Sequence, residues 1–256
     1  MFVDLHSHLL PNVDDGSQSY RASLRLARQA VDNGIEVALM TPHHMNGQYV
    51  NHKQDVIQLT DEFQKHLDNE NIPLSVFPSQ EVRITGGLLQ QLDDDDILFS
   101  DAFNQYLLLE FPDDDIPTYS RDIIFKIMQR GITVQIAHPE RNIKFMKNPR
   151  ILFDLIEAGA LAQLTAGSYV GNFGKKVESF SEEILNHNLA HVLVSDAHDL
   201  PNRSFEMAEA MKKVEKNLGR DYQQLLERNA ESIIDGNSIT TLKPELIVKR
   251  KFFSKF

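Results

Sequence analysis

Seven short apolar runs, rich in Val, Ile and Leu, recur along this chain at 2–6, 36–41, 74–78, 106–111, 132–137, 160–164 and 190–195, with amphipathic segments between them. The runs do not alternate strictly between apolar and polar residues, which is the pattern of strands buried on both faces of a parallel sheet. The intervening segments repeat apolar residues at helical spacing: Leu24, Ala27, Ala30 and Val31, then Val56, Leu59, Phe63 and Leu67. Ile123, Ile127 and Met128 continue the theme, as do Leu152, Leu155 and Ile156, and finally Phe205, Ala208, Met211 and Val214. Gly34, Gly131 and Gly159 stand where helices should end, just before the next strand. Strand and helix alternating in this way predict an α/β fold with parallel strands.

The chemistry sits at the ends of the runs. Asp4-Leu5-His6-Ser7-His8 and Ser195-Asp196-Ala197-His198 each place two ligating residues at i and i+2, on one face of a strand. His43 follows Leu39-Met40-Thr41-Pro42, Glu81 follows Val76 to Gln80, Glu110 follows Leu107-Leu108-Leu109, and His138 follows Val134-Gln135-Ile136-Ala137. Asp15 lies in the turn Val13-Asp14-Asp15-Gly16, and His44, next to His43, should face the other way. A buried strand does not normally end in an unpaired carboxylate such as Glu110. Oxygen and nitrogen donors without sulfur suit hard or borderline divalent cations.

Donors at the C-terminal ends of nearly all the strands favour a barrel, because closure gathers those ends and makes the first and last strands neighbours. A doubly wound sheet would draw on two or three strands at one crevice. Four converging carboxylates, Asp15, Glu81, Glu110 and Asp196, are costly without cations. Two divalent ions balance their charge, and three leave a positive site suited to an anionic substrate. Spacing does not choose between two and three.

Other features exclude function classes. A net charge of −11 over 256 residues argues against a general nucleic-acid surface. The absence of cysteine removes disulfides, thiolate zinc sites and cysteine nucleophiles. No apolar stretch is long enough to span a bilayer, and the N-terminus lacks a basic region followed by an apolar core, so the cytoplasm is the expected compartment. Without linker or repeat, residues 1–248 read as one domain, followed by the basic-aromatic tail Lys-Arg-Lys-Phe-Phe-Ser-Lys-Phe at 249–256. The tail either frays in solvent or makes weak contact with an anionic membrane surface. Asp93–Asp96 and Asp113–Asp115 read as solvated turns.

The ordered set D-L-H-S-H, V-D-D-G, T-P-H-H, E-F-P, A-H-P-E-R and S-D-A-H resembles the PHP (polymerase and histidinol phosphatase) metallohydrolases. Within them the chain is similar to the manganese-dependent bacterial protein-tyrosine phosphatases of capsule and exopolysaccharide operons, over nearly its whole length. The resemblance implies a single-domain α/β fold, a distorted (β/α)7 barrel, with three divalent metal ions, Mn2+ foremost and Fe or Zn as alternatives. By position it implies that His6, His8, Glu81 and Asp196 hold one ion. Glu81, Glu110 and His138 would hold a second, with Glu81 bridging, and Asp15, His43 and His198 the third. Other PHP branches often have histidine where Asp15 and Glu110 stand, and the extra carboxylate favours harder ions such as manganese.

The resemblance further implies hydrolysis of phosphotyrosine by a metal-activated hydroxide, without a phosphoenzyme. Arg141 and Arg203, each just past a candidate ligand, are expected on the phosphate. The implied substrate is a membrane-associated, autophosphorylating tyrosine kinase that regulates capsular or extracellular polysaccharide synthesis. No general acid stands out, His43 and Asp199 being the nearest candidates. Two other readings compete: a small-molecule phosphomonoesterase such as a histidinol-phosphate phosphatase, and a non-catalytic, metal-stabilised binding scaffold. Intact donors at all nine positions argue against the scaffold.

Overall fold

The computed structural model describes residues 2–248, so the basic-aromatic tail and its expected membrane contact lie outside the described residues. Every apolar run forms a strand, and two of them break and resume. The strands are β1 (Phe2–Ser7), β2 (Ile35–Met40), β3 (His43–His44), β4 (Ser75–Pro78), β5 (Glu81–Arg83), β6 (Tyr106–Glu110), β7 (Thr133–Ile136), β8 (Leu161–Thr165) and β9 (Val192–Val194). All named pairings are parallel, in a three-stranded sheet β1-β2-β4 and a six-stranded sheet β3-β5-β6-β7-β8-β9.

The breaks fall at proline. Pro42 separates β2 from β3, and Pro78 ends β4, with Ser79 and Gln80 between it and β5. Proline has no N–H to give to a ladder, so pairing stops and restarts with a new partner. The joints are held by Ser79 N–H on the Met40 carbonyl (2.9 Å) and Glu81 N–H on the Pro42 carbonyl (3.2 Å). The second and third runs thus belong to both sheets, which the uninterrupted apolar pattern did not reveal.

The first and last strands meet at their C-terminal ends. Asp196 N–H donates to His6 O and His8 N–H to Ala197 O, each at 2.8 Å, across a parallel bridge between Ser7 and Ala197. The result is a mixed α/β domain whose parallel sheet curls back on itself. Pairing is incomplete beyond β4, where a groove of about 700 Å3 is lined by Phe77, Pro78 and Leu98 to Asp101.

Side-chain alternation sets the two apolar cores. Leu193 faces the main core beneath the helices, whereas Val192 and Val194 join Leu5, Leu39, Tyr106 and Leu161 inside the curl. Ala230 and Ile233 of the helix Arg220–Ile234 complete that inner cluster. Tyr106, Leu161 and Val192 are the first residues of their strands, so this helix plugs the N-terminal end and leaves the C-terminal end for polar side chains. The helices are tied down locally. Ser19 Oγ accepts from Ala22 N at the start of Tyr20–Asp32, and Asp96 Oδ1 accepts from Lys53 N (3.0 Å) at the start of Lys53–Asn69. Asp96 also receives His52 Nδ1 at 2.7 Å, so this end of the acidic run is a cap rather than a solvated turn. No helix of the described residues is long and apolar enough to cross a membrane.

His191, at the foot of β9, offers a test of the core. It is buried, its Nδ1 accepts the Ala162 N–H at 3.1 Å, and burial pushes its pKa down to about 4. The unfolded chain therefore takes up this proton first, near 6.5. The stabilisation from a neutral His191 is complete above about pH 6.5 and is lost as pH falls toward 4. That amounts to about 3 kcal/mol at most. Urea denaturation at pH 7 and pH 4.5 is expected to show wild type losing roughly 2 kcal/mol more than His191→Gln. Equal losses would mean that His191 does not resist protonation.

Candidate metal centre

The nine expected donors come together. His6 and His8 sit at the end of β1, His43 on β3, Glu81 on β5 and Glu110 at the end of β6. His138 follows β7, Asp196 and His198 follow β9, and Asp15 reaches in from the loop after β1. His44 points away, its Nε2 4.0 Å from Asp96. His138 and Asp196 both adopt left-handed backbone, with φ of 30° and 51°. Neither is glycine, and such conformations persist where surrounding structure imposes them.

One compact set is His6 Nε2, His8 Nε2 and Glu81 Oε2, with Asp196 Oδ1 against the two imidazoles. The two imidazole nitrogens are 3.2 Å apart, and each lies 3.3–3.5 Å from both carboxylate oxygens. Donors about 2.1 Å from a common cation stand about 3.0–3.4 Å apart in octahedral or tetrahedral arrangement, so the spacing of His6, His8 and Glu81 is close to that around a bound ion. Glu81 Oε2 and Asp196 Oδ1 are buried and have no hydrogen-bond partner among the described residues. The outer contacts turn the imidazoles inward. The Gln163 amide nitrogen donates to Gln135 (3.0 Å), so its oxygen faces His6 Nδ1 at 3.2 Å. Asp14 Oδ2 faces His8 Nδ1 at 2.7 Å. With both Nδ1 atoms as donors, both Nε2 lone pairs are directed at the shared point.

Glu81 stands at the centre. Its Oε1 is 2.7 Å from His138 Nε2, while its Oε2 faces His6, His8 and, at 2.9 Å, His43 Nδ1. His43 spans two groups, since its Nε2 is 3.3 Å from Asp15 Oδ1, which His198 Nε2 also approaches at 3.4 Å. Beside Glu110, His43 is a nearer neighbour than the resemblance implied: the donor atoms of His43, Glu81 and Glu110 lie within 4.8 Å of one another, and His138 is not in that group.

Electrostatics follow from this crowding. Burial and the Glu81 carboxylate raise the Glu110 carboxyl to about 8, against the pull of His43 and Arg83. Burial opposes a charge on Glu81, but His6, His43 and His138 hold it well below the usual carboxylate range. Burial likewise opposes charge on the His43 ring, yet Glu81 and Asp15 hold its pKa at about 10. Burial, reinforced by the Arg141 guanidinium, takes His138 down to about 4, and burial with the neighbouring His8 does the same for His198. Both rings are thus neutral at physiological pH, whereas His43 without a cation beside it keeps its proton and must release it to act as a ligand.

Three guanidinium groups surround the four carboxylates. Arg83 Nε is 2.9 Å from Glu110 Oε2, Arg203 Nη2 is 3.0 Å from Asp196 Oδ2, and Arg141 Nη2 bonds the same oxygen. Counting carboxylates alone therefore overstated the negative charge, and it is the inward-facing donors that specify cations. Arg141 and Arg203 line a cleft of about 480 Å3 above the donors, with Arg83, Tyr49 and Phe173. Asp199, weighed as a proton donor, instead fixes the turn that presents Arg203, accepting its N–H at 3.2 Å.

Sequence reasoning missed Asp14, Arg83, Gln135 and Gln163. A signal existed for three of them. Arg83 is two residues beyond Glu81 on one strand face, and a glutamine within a buried strand needs a partner. Gly16 is also required here: a Cβ would stand 2.3 Å from His8 O and 2.9 Å from Asp14 Oδ1, so only glycine lets the loop fold against His8.

A family profile described as capsular polysaccharide synthesis, CpsB/CapC, matches residues 2–235. The chain belongs to the CpsB/CapC family. Tyrosine-protein phosphatase YwqE of Bacillus subtilis (strain 168) is 39% identical over 254 residues, covering 99% of this chain and 100% of YwqE. The putative tyrosine-protein phosphatase CapC of Staphylococcus aureus is 32% identical over 253 residues, covering 97% of each. A solved chain, described among YwqE from Bacillus subtilis and CpsB from Streptococcus pneumoniae as unique metal-dependent tyrosine phosphatases, superposes with a TM-score of 0.93. It is 38% identical, and the match covers 96% of this chain and 100% of that one. The resemblance to the tyrosine phosphatases of capsule operons is borne out.

Proposed function

We propose that this CpsB/CapC chain is a metal-dependent protein-tyrosine phosphatase that uses the nine converging residues as metal ligands. The observation that carries the reading is the set of buried, inward-facing donors on Glu81, Asp196, His6 and His8, lying under a cleft that bears two half-buried arginines. Three ions, manganese foremost, shared through Glu81 within a distorted (β/α)7 barrel, are the arrangement that the family resemblance and the carboxylate-rich donor set support. The substrate is a phosphotyrosine protein, with a membrane-associated tyrosine kinase of polysaccharide synthesis as the favoured partner and the cytoplasm as the setting.

Divalent cations held by these residues would neutralise a phosphate dianion and lower the pKa of water enough to supply hydroxide at neutral pH. The chain does the rest. Arg141 and Arg203 each hold Asp196 through one nitrogen, which fixes both guanidinium planes at the cleft and leaves further N–H groups to fork onto phosphate oxygens. Asp14 and Gln163 keep His8 and His6 oriented. Arg83 steadies Glu110. The leaving phenolate, with a pKa of about 10, departs without a dedicated acid, in keeping with the absence of an obvious one.

The test is a substrate panel on the manganese-loaded chain: phosphotyrosine peptide, phosphoserine peptide, histidinol phosphate and para-nitrophenyl phosphate. The phosphotyrosine peptide is expected to exceed phosphoserine and histidinol phosphate by at least about tenfold in kcat/KM. Preference for histidinol phosphate would move the reading to a small-molecule phosphatase, and no turnover of any substrate would leave the scaffold.

A further inference from the structure

The cleft above the donors has aromatic walls that neither ligand geometry nor phosphate binding requires. Tyr49 and Phe173 both line it, both are half-buried, and neither belongs to the two apolar cores. Tyr49 follows β3, and its ring lies nearly parallel to that of His43, at 10° with centroids 6.3 Å apart. Its loop is pinned by Asn46 Oδ1, which accepts the N–H groups of Gln48 (3.0 Å) and Tyr49 (2.8 Å). Phe173 lies between the helices Ala166–Tyr169 and Lys175–Asn186. The Arg141 guanidinium sits over its ring, 5.0 Å from the centroid. Backbone packs against it as well: a Cβ on Gly167 would stand 3.4 Å from Phe173 Cε2.

We infer that Phe173 and Tyr49 form the slot for the aryl ring of the substrate and set its discrimination against alkyl phosphomonoesters. The inference rests on the phosphatase reading. Arg141 couples the two requirements, because its guanidinium carbon lies over the Phe173 ring while its Nη2 bonds Asp196 Oδ2 beside the donors. A phosphate held by Arg141 brings its ester substituent to the edge of Phe173. A phenyl ring gains offset or edge-on aromatic contact there, and a short alkyl chain presents no ring to make it.

Calorimetric titration of the manganese-loaded chain with phenylphosphonate and methylphosphonate, neither of which is turned over, reads this directly. Wild type is expected to bind the phenyl compound about tenfold more tightly, and Phe173→Ala to reduce that ratio to roughly two. Phe173→Leu and Tyr49→Leu, which keep apolar bulk and lose the ring, should fall between, with melting temperatures confirming that each variant is folded. A ratio near one in wild type, or a ratio unchanged in all the variants, overturns the aryl slot and leaves the phosphatase reading standing. Failure of wild type to bind either phosphonate withdraws that reading and the slot with it.

Discussion

Asp196→Asn is expected to lower kcat/KM for an aryl phosphate by about a thousandfold while the chain remains folded. Asp196 is where the parts of the site meet. One oxygen faces His6 and His8 at 3.4 and 3.5 Å, and the other accepts both Arg141 and Arg203. The amide keeps the shape but removes an anionic donor, and its NH2 group would have to face either imidazole lone pairs or guanidinium N–H groups. Facing the guanidiniums it offers donors to donors, and facing the imidazoles it displaces the donor atom a cation needs. The side chain lies outside both apolar cores, so the loss should appear in turnover and metal content, with an unfolding transition no lower than that of metal-free wild type. Wild-type rates in the purified variant would show that Asp196 is a structural partner of the two arginines and nothing more.

Removing bound metal by chelation is expected to lower the melting temperature by about 5–10 °C. A ligand present at a hundred times its dissociation constant stabilises a fold by about 2.7 kcal/mol, and each kcal/mol shifts a domain of this size by about 2–4 °C. The sign follows from the donors. Without cations, Glu81 and Asp196 keep buried oxygens that no hydrogen bond from the described residues satisfies, and Glu110 is driven toward its neutral form by burial and by Glu81. Three nearby arginines limit the penalty, which is why a shift of several degrees is expected and not collapse. Calorimetric scans with and without chelator, followed by manganese addition, check it. An unchanged transition in chain shown to be metal-free would mean that the donors are satisfied without ions.

Much of this was legible in the sequence because the physics is local. A buried parallel strand shows as an apolar run, and a donor at its C-terminal end shows as a polar residue where the run stops. His6, His8, Glu110 and Asp196 are of this kind. Pro42 and Pro78 broke two strands and divided the sheet, and no apolar pattern reports which neighbour a strand takes up after a missing N–H. Arg141 and Arg203 were legible from their places just past candidate ligands, whereas Arg83 was harder. Arg83 is an ordinary strand-end residue until Glu110 is placed beside it, and that proximity is tertiary. Asp14 differs from Asp15 by one position in the same turn, and only the fold of the loop against Gly16 decides which faces Nδ1 of His8 and which faces His43 and His198.

The most direct measurement is anomalous diffraction from crystals of the manganese-loaded chain, collected on either side of the manganese edge. The account predicts a peak enclosed by His6, His8, Glu81 and Asp196, with further density sharing Glu81 toward His138 and Glu110 and beside Asp15. A fully active, manganese-loaded chain with no anomalous density among these side chains would contradict it.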